Sequence, residues 1–341
     1  MYSLQHLIRE YEVHDFDQVL RISKSFYDGK EGSFSLVDNI MSARMIEKYV
    51  IAEIETGLIQ GYALITEQIH PGIRLRLELV VKNEFNEWEI IHDLYNKMEQ
   101  VINIAAPYSI EVRLFPENTN EINFFEGKGF SENHRMVKQI LDVQSANIDS
   151  YLHIESELNK NGIIIRTLAE EQSSRPDCMK LLEQLVLETN IDFPDELPSH
   201  LRRPRTDTSW LYRSEIIPEA FFIALHKGRY VGYTHYSSGP NHAFTQSFTA
   251  VCREFRNLGI ATSLKLKGIL YAKSIGIDSI YTSNRSTNDS MARVNEKLGW
   301  MKYDCELRMQ KLVSAQQDRQ LYPNNCFPTK HPIQYIIPDI S

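Results

Sequence analysis

Between Phe248 and Ala272 the chain runs from an apolar, β-branched stretch through a basic turn containing one glycine into helix-forming sequence. Residues 248–251 carry the β-branched and aromatic side chains that suit a pleated strand. Residues 260–272 suit a helix. Gly259 lets backbone N–H groups approach a ligand with no Cβ in the way. The helix that begins there directs its unpaired N–H groups and the positive end of its dipole at the same place. Arg253 and Arg256 add positive charge, so the turn suits an anion such as a pyrophosphate.

The sequence downstream narrows this further. After Gly276 come a short predicted strand (Ile277 to Thr282) and a polar turn (Ser283 to Ser290) with several N-cap candidates. A short predicted helix, Met291 to Leu298, then leads into Gly299-Trp300. This succession resembles the GNAT superfamily of N-acetyltransferases. Its acyl-CoA loop, Arg/Gln-x-x-Gly-x-Gly/Ala, is matched by Arg256-x-x-Gly259-x-Ala261.

The resemblance implies acetyl-CoA as co-substrate and no metal. Arg256, Asn257, Leu258, Gly259, Ile260, Ala261 and Thr262 would carry its pyrophosphate. Ala250 and Val251 would bind the pantetheine arm through their backbone. Asn284, Asn288 and Asn295 occupy the places from which relatives contact the cofactor. For Asn288, capping of the following helix is an equal alternative.

The pattern occurs twice. Val50 to Ala63 and Phe222 to Thr234 each read as strand, turn and a second strand containing Gly-Tyr, and Gly129-Phe130 answers to Gly299-Trp300. The offset of roughly 170 residues points to duplicated domains, not to a solenoid with its shorter units. The expected fold is α/β (α+β): two GNAT-like domains, each a mixed, mostly antiparallel central sheet flanked by helices. The expected boundaries are a degenerate domain over 1–148, a turn-forming linker over 149–162, an acetyltransferase domain over 163–312 and a surface-packed tail over 313–341.

At the loop the copies diverge. Arg253, Arg256, Gly259 and Ala261 correspond to Asn83, Asn86, Glu89 and Ile91, with no glycine between 83 and 91. A carboxylate where a pyrophosphate should sit is repulsive by several kcal/mol at contact distance. The first half is therefore expected not to bind CoA.

Acetyl transfer to an amine needs a positioned thioester, a polarised carbonyl and a base for the ammonium proton. His235 and Tyr236, on the predicted strand Val231 to Ser237, are the candidate catalytic residues. Alternation puts Tyr233 and His235 on one face and Thr234 and Tyr236 on the other. A histidine titrates near neutral pH, although a lone strand histidine is more often structural. Asp192, Asp195 and Glu196 read best as an ordinary solvated loop. Many relatives place a tyrosine in the short helix to reprotonate the thiolate; here that place is Asn295, which has no titratable proton.

Composition excludes several classes. A net charge of −8 argues against general nucleic-acid affinity and is compatible with a cationic acceptor. Cys178, Cys252, Cys305 and Cys326 lack metal-site spacing, and free thiols in a reducing compartment are expected. No signal-peptide pattern and no long apolar run is visible, so a cytoplasmic protein is expected, as a monomer or homodimer. The prolines and aromatics of the tail suggest an extended segment lying on the protein. These readings converge on an acetyl-CoA-dependent N-acetyltransferase that transfers directly to a small-molecule primary amine in a ternary complex. The alternative is a non-catalytic CoA-binding or interaction protein on a GNAT scaffold.

Overall fold

The computed structural model describes residues 6–27, 45–53, 56–67, 73–82, 87–192, 197–198, 201, 205–239 and 241–313. Asn83, Asn86, Asp195, Glu196, Cys326 and the tail after Val313 lie outside the described residues. The chain forms two compact units, one from Met1–Arg113, Asn120–Glu132 and Met309–Ser341, the other from Leu114–Thr119 and Asn133–Arg308.

In the first unit the strands β1 (His6–Glu10), β2 (Met45–Glu53), β3 (Ile59–Glu67), β4 (Arg74–Val81) and β5 (Ser109–Leu114) are neighbours in that order. Every pair is antiparallel except β4 and β5, which run parallel from Arg74↔Ser109 to Leu77↔Val112. The helices are α1 (Phe16–Phe26), α2 (Glu87–Ala105) and α3 (Thr119–Gly127). Val19 and Ile22 of α1 pack on Val50, Tyr62, Leu64 and Val80. Glu89 and Ile91, the counterparts of the second-half loop residues, lie inside α2, with Ile91 buried.

The second unit begins with β6 (Ser131–Asp142), whose first two residues belong to the first unit. It continues through α4 (His153–Lys160), β7 (Ile163–Thr167), α5 (Leu168–Ser174), α6 (Cys178–Asn190), β8 (Phe221–His226), β9 (Arg229–Ser238) and β10 (Ala243–Val251). It closes with α7 (Ile260–Ser274), β11 (Ser279–Arg285), α8 (Asp289–Leu298) and β12 (Met301–Leu312). Its strand order is β12-β6-β11-β10-β9-β8-β7. Thus β6, from the first sequence copy, pairs antiparallel with β11 of the second, while the end of β12 belongs to the first unit. Compact units and sequence repeat differ at these two strands.

Side chains of β9, which shifts register against β8 at Val231 (Ala224 faces Gly232 but Leu225 faces Tyr230), divide the core of the second unit between two sheet faces. Tyr230 and Tyr233 pack with Leu182, Leu185 and Val186 of α6. Val231 and Tyr236 pack with Leu264 and Ile269 of α7. The repeated Gly-Tyr has a steric reason. A Cβ on Gly61 would lie 2.8 Å from Val80 O, and one on Gly232 3.0 Å from Ala250 O, so the neighbouring strand excludes a side chain at both places.

The segment expected to be a turn-forming linker is largely helical. A 3-10 turn at Asp149–Tyr151 is followed by α4. Leu158 is buried and Ile154 packs on the α7 core, so the apolar face of this amphipathic stretch is what overrides its turn-forming residues. Only its end, at Asn161-Gly162, is the turn that its composition suggests.

Candidate acyl-CoA site

The parallel pair β10–β11 is short. It is registered at Ala243↔Ser279, Phe244↔Ile280 and Thr245↔Tyr281, and no pairing follows among the described residues. At that point β10 changes register against β9: Gln246 faces Tyr236, but Phe248 faces His235, leaving Ser247 as an extra residue. Such a bulge bends a strand and re-aims its side chains. Beyond it, Thr249, Ala250 and Val251 remain paired with β9 at Thr234, Tyr233 and Gly232. The β10–β11 pairing therefore ends at Thr245, ahead of the two residues expected along a pantetheine arm, which pair only with β9 among the described residues.

At the end of β10 lie a 3-10 turn (Arg253–Phe255), Asn257 at φ 63° and Gly259 at φ 86°. This left-handed conformation costs a non-glycine residue about 1–2 kcal/mol, which explains the glycine. The N–H groups of Gly259, Ile260, Ala261 and Thr262 have no backbone acceptor among the described residues. They form the donor-rich end of α7 that an anion requires.

The arginines of the loop are differently engaged from the sequence expectation. Both Arg253 and Arg256 donate to the carboxylate of Asp192, just past α6; Arg253 Nε does so at 2.7 Å. Arg256 Nε also donates to Val251 O at 3.0 Å, tying the loop to the end of β10. Hydrogen bonding from Arg253, aided by Arg256, holds the Asp192 carboxyl below its ordinary pKa. Asp192 is therefore a counter-ion of the loop, not a free solvated acid.

The three asparagines are also placed. Asn288 is the N-cap of α8, accepting from Met291 N at 3.3 Å. Asn284 Nδ2 and Asn295 Nδ2 both donate to Gln139 Oε1 of β6, at 3.1 and 2.6 Å. Asn295 is wholly buried.

His235 lies in a cluster of nearly parallel rings with Trp210 (ring centroids 4.9 Å apart) and Phe221 (5.3 Å), beside Phe248. Neither ring nitrogen has a hydrogen-bond partner, and burial pulls its pKa down to about 4. The Tyr236 hydroxyl, on the opposite face, donates to Lys265 O at 3.2 Å, and burial raises its pKa far above the ordinary value. Beneath the bulge, Gln246 Oε1 accepts from Lys265 Nζ at 2.5 Å and from Thr282 Oγ1 at 3.0 Å. Neither Lys265 nor Gln246 was marked by motif. The available signal was the fall of Lys265 on the stripe Lys265, Gly268, Ala272 of α7, whose other members are small and buried.

No group of side chains able to hold a metal occurs among the described residues, and no helix among them is long and apolar enough to cross a membrane. Cys178, Cys252 and Cys305 are free thiols.

The bulged strand, the N–H groups at the start of α7 and the mixed sheet define a mixed α/β fold with a candidate anion site at the Gly259 turn. Residues 183–300 match the family model of the acetyltransferase (GNAT) family. A GCN5-related N-acetyltransferase from Sphaerobacter thermophilus is similar in structure, with a TM-score of 0.66 at 15% identity over 90% of this chain and 96% of that one. A tandem GNAT protein from the clavulanic acid biosynthesis pathway gives 0.64 at 16% identity over 91% and 99%. The glucosamine N-acetyltransferase region of a fungal multi-domain GH3 β-N-acetylglucosaminidase gives 0.68 at 15% identity, over 91% of this chain and 38% of that one. No curated protein sequence matches the chain. The second half thus resembles the acetyltransferase (GNAT) family in sequence, and about nine-tenths of the chain shares the fold of tandem GNAT proteins.

Proposed function

We propose that the protein transfers the acetyl group of acetyl-CoA to a primary amine of a small molecule, directly, in a ternary complex. The observation that carries this reading is the Gly259 turn, with its unpaired N–H groups at the start of α7 and the open end of β10 beside it. Acetyl-CoA brings an activated thioester. The pyrophosphate would lie on the N–H groups of residues 259–262, and the pantetheine arm along Ala250 and Val251, placing the thioester near the bulge.

Asp192 offsets part of the charge of Arg253 and Arg256, so the backbone N–H groups would be the main donors to the anion. Neither candidate catalytic residue, His235 or Tyr236, is a strong general base. His235 is neutral at pH 7 but, with a pKa of about 4, too weakly basic to hold a proton there. Asn295 cannot protonate a thiolate. In this reading catalysis rests on positioning and on carbonyl polarisation, worth several kcal/mol in a water-excluded site. Solvent exchanges the protons. The acceptor class is supported by the glucosamine N-acetyltransferase region among the similar structures, whose named acceptor is itself a small-molecule amine.

The test is release of free CoA thiol when the full chain and acetyl-CoA are mixed with a panel of small amines. Amine-dependent release, with one acetyl-CoA bound per chain by calorimetry, is expected. Binding of acetyl-CoA without transfer to any amine in a broad panel would favour the scaffold alternative, and two equivalent sites would contradict the silent first half.

A further inference from the structure

Lys265 is an anomaly. It lies in the middle of α7, entirely buried, on the helix that starts at the Gly259 turn. No carboxylate pairs with it among the described residues. Its ammonium group has one hydrogen-bond acceptor, Gln246 Oε1 at 2.5 Å, and sits over the Trp300 ring, 4.8 Å from the centroid. A buried amine with so little compensation is costly and is seldom retained without a use.

The position of its partner suggests that use. Gln246 is the first residue of β10 after the last pairing with β11, immediately before the bulge. Thr282 Oγ1, from β11, bonds both Gln246 O (3.1 Å) and Gln246 Oε1 (3.0 Å). Gln246 Nε2 in turn donates to Thr249 Oγ1 at 3.2 Å, two residues past the bulge, and Thr249 lies 2.8 Å from Thr234 Oγ1 of β9. Lys265 therefore anchors a chain of polar contacts that joins α7, β10, β11 and β9 at the point where the β10–β11 pairing ends.

We infer that Lys265 is a positioning residue of the acyl-transfer site: through Gln246, which Thr282 ties to β11, it fixes the point at which the β10–β11 pairing ends and so the place where the thioester arm enters. The inference rests on the acetyl-CoA reading above. The groups facing Lys265 are Gln246 on β10, Trp300 after α8 and, through its own carbonyl, the Tyr236 hydroxyl on β9. The nearest ion pair on α7 is Lys267 with Glu155 of α4, a separate and half-exposed contact. With no charged neighbour, burial alone brings the Lys265 ammonium down to about 7. Its hydrogen bond to Gln246 is charge-assisted below that pH and an ordinary amine hydrogen bond above it. Charge-assisted bonds are about twice as strong.

The experiment is calorimetric titration of acetyl-CoA into the wild-type chain, Lys265→Met and Gln246→Glu, at about pH 6 and about pH 8.5, on either side of the lysine midpoint. Comparing variants at each pH cancels titration of the ligand's own phosphates. Lys265→Met is expected to bind about tenfold more weakly than wild type near pH 6, and no more than about threefold more weakly near pH 8.5. Gln246→Glu keeps an acceptor for the ammonium but loses the Nε2 donation to Thr249 Oγ1, so it is expected to bind more weakly than wild type at both pH values, and wild-type binding by this variant would overturn the inference. Equal binding by Lys265→Met and wild type, or a loss that is the same at both pH values, overturns the inference while leaving the acetyl-CoA reading intact. No binding by wild type at either pH overturns both. If Lys265→Met does not fold, Gln246→Leu, which removes the same link from the strand side, is judged by the same criterion.

Discussion

The amide of Asn295 donates to Gln139 Oε1 at 2.6 Å, joining α8 to a strand 156 residues earlier in the chain. Asn295 stands where many GNAT relatives carry a tyrosine, and its side chain is completely buried. It holds α8 against β6 and has no proton to give. Asn295→Ala should therefore destabilise the fold by about 1–3 kcal/mol, the cost of leaving a buried partner with fewer bonds. Turnover at saturating acetyl-CoA should change by less than about tenfold, because general acid–base catalysis would be worth about a hundredfold or more. Denaturant unfolding and steady-state kinetics separate the two, and a hundredfold loss of turnover in folded protein would restore a catalytic role to this position.

Gly259 has φ 86°, and a Cβ there would lie 3.0 Å from Ile154 Cγ2 of α4. A substitution thus acts on both fold and site. Gly259→Ala should lower stability by about 1–2 kcal/mol through the left-handed backbone alone. Acetyl-CoA affinity should fall at least about tenfold, since the turn that aligns the N–H groups is the one strained. Calorimetric titration of folded Gly259→Ala at wild-type affinity would move the phosphate site elsewhere.

Gly268 faces the Tyr236 ring, where a Cβ would lie 2.1 Å from Cε2 and 2.3 Å from the hydroxyl oxygen. Tyr236 is 1% exposed and cannot swing into solvent. Overpacking of this kind costs about 1–3 kcal/mol or more, so Gly268→Ala should unfold at markedly lower denaturant than wild type. An unchanged midpoint would mean that α7 is free to shift away from β9.

His235 makes the fold sensitive to acid. Its pKa is about 4 in the folded chain against the ordinary 6.5, so between those values the unfolded chain binds a proton that the folded chain refuses. Stability should therefore fall as pH drops from 6.5 to 4, by about 3 kcal/mol from this residue. His235→Phe should remove that slope, keep the stacking with Trp210 and Phe221, and leave turnover at neutral pH within about tenfold. Unfolding curves at several pH values measure the slope. A collapse of turnover with stability preserved would show that His235 is the base after all.

Local order along the second half was legible in the sequence. The strand, glycine turn, helix, strand, capped helix succession from 243 to 298 depends on backbone preferences within a few residues, such as the left-handed Gly259 and the Asn288 cap. The Gly-Tyr repeat was legible too, because strand packing excludes a Cβ at both copies. Tertiary structure decided how the polar residues are used. Arg253 and Arg256 meet Asp192 across 61 and 64 residues, Asn284 and Asn295 share Gln139 from the other copy, and Lys265 finds Gln246 because α7 packs on the face of β10 that carries Phe244 and, two residues on, Gln246. A charged or amide side chain carries no local signature of its partner. The register between distant strands, set by burial of their apolar faces, brings the two together.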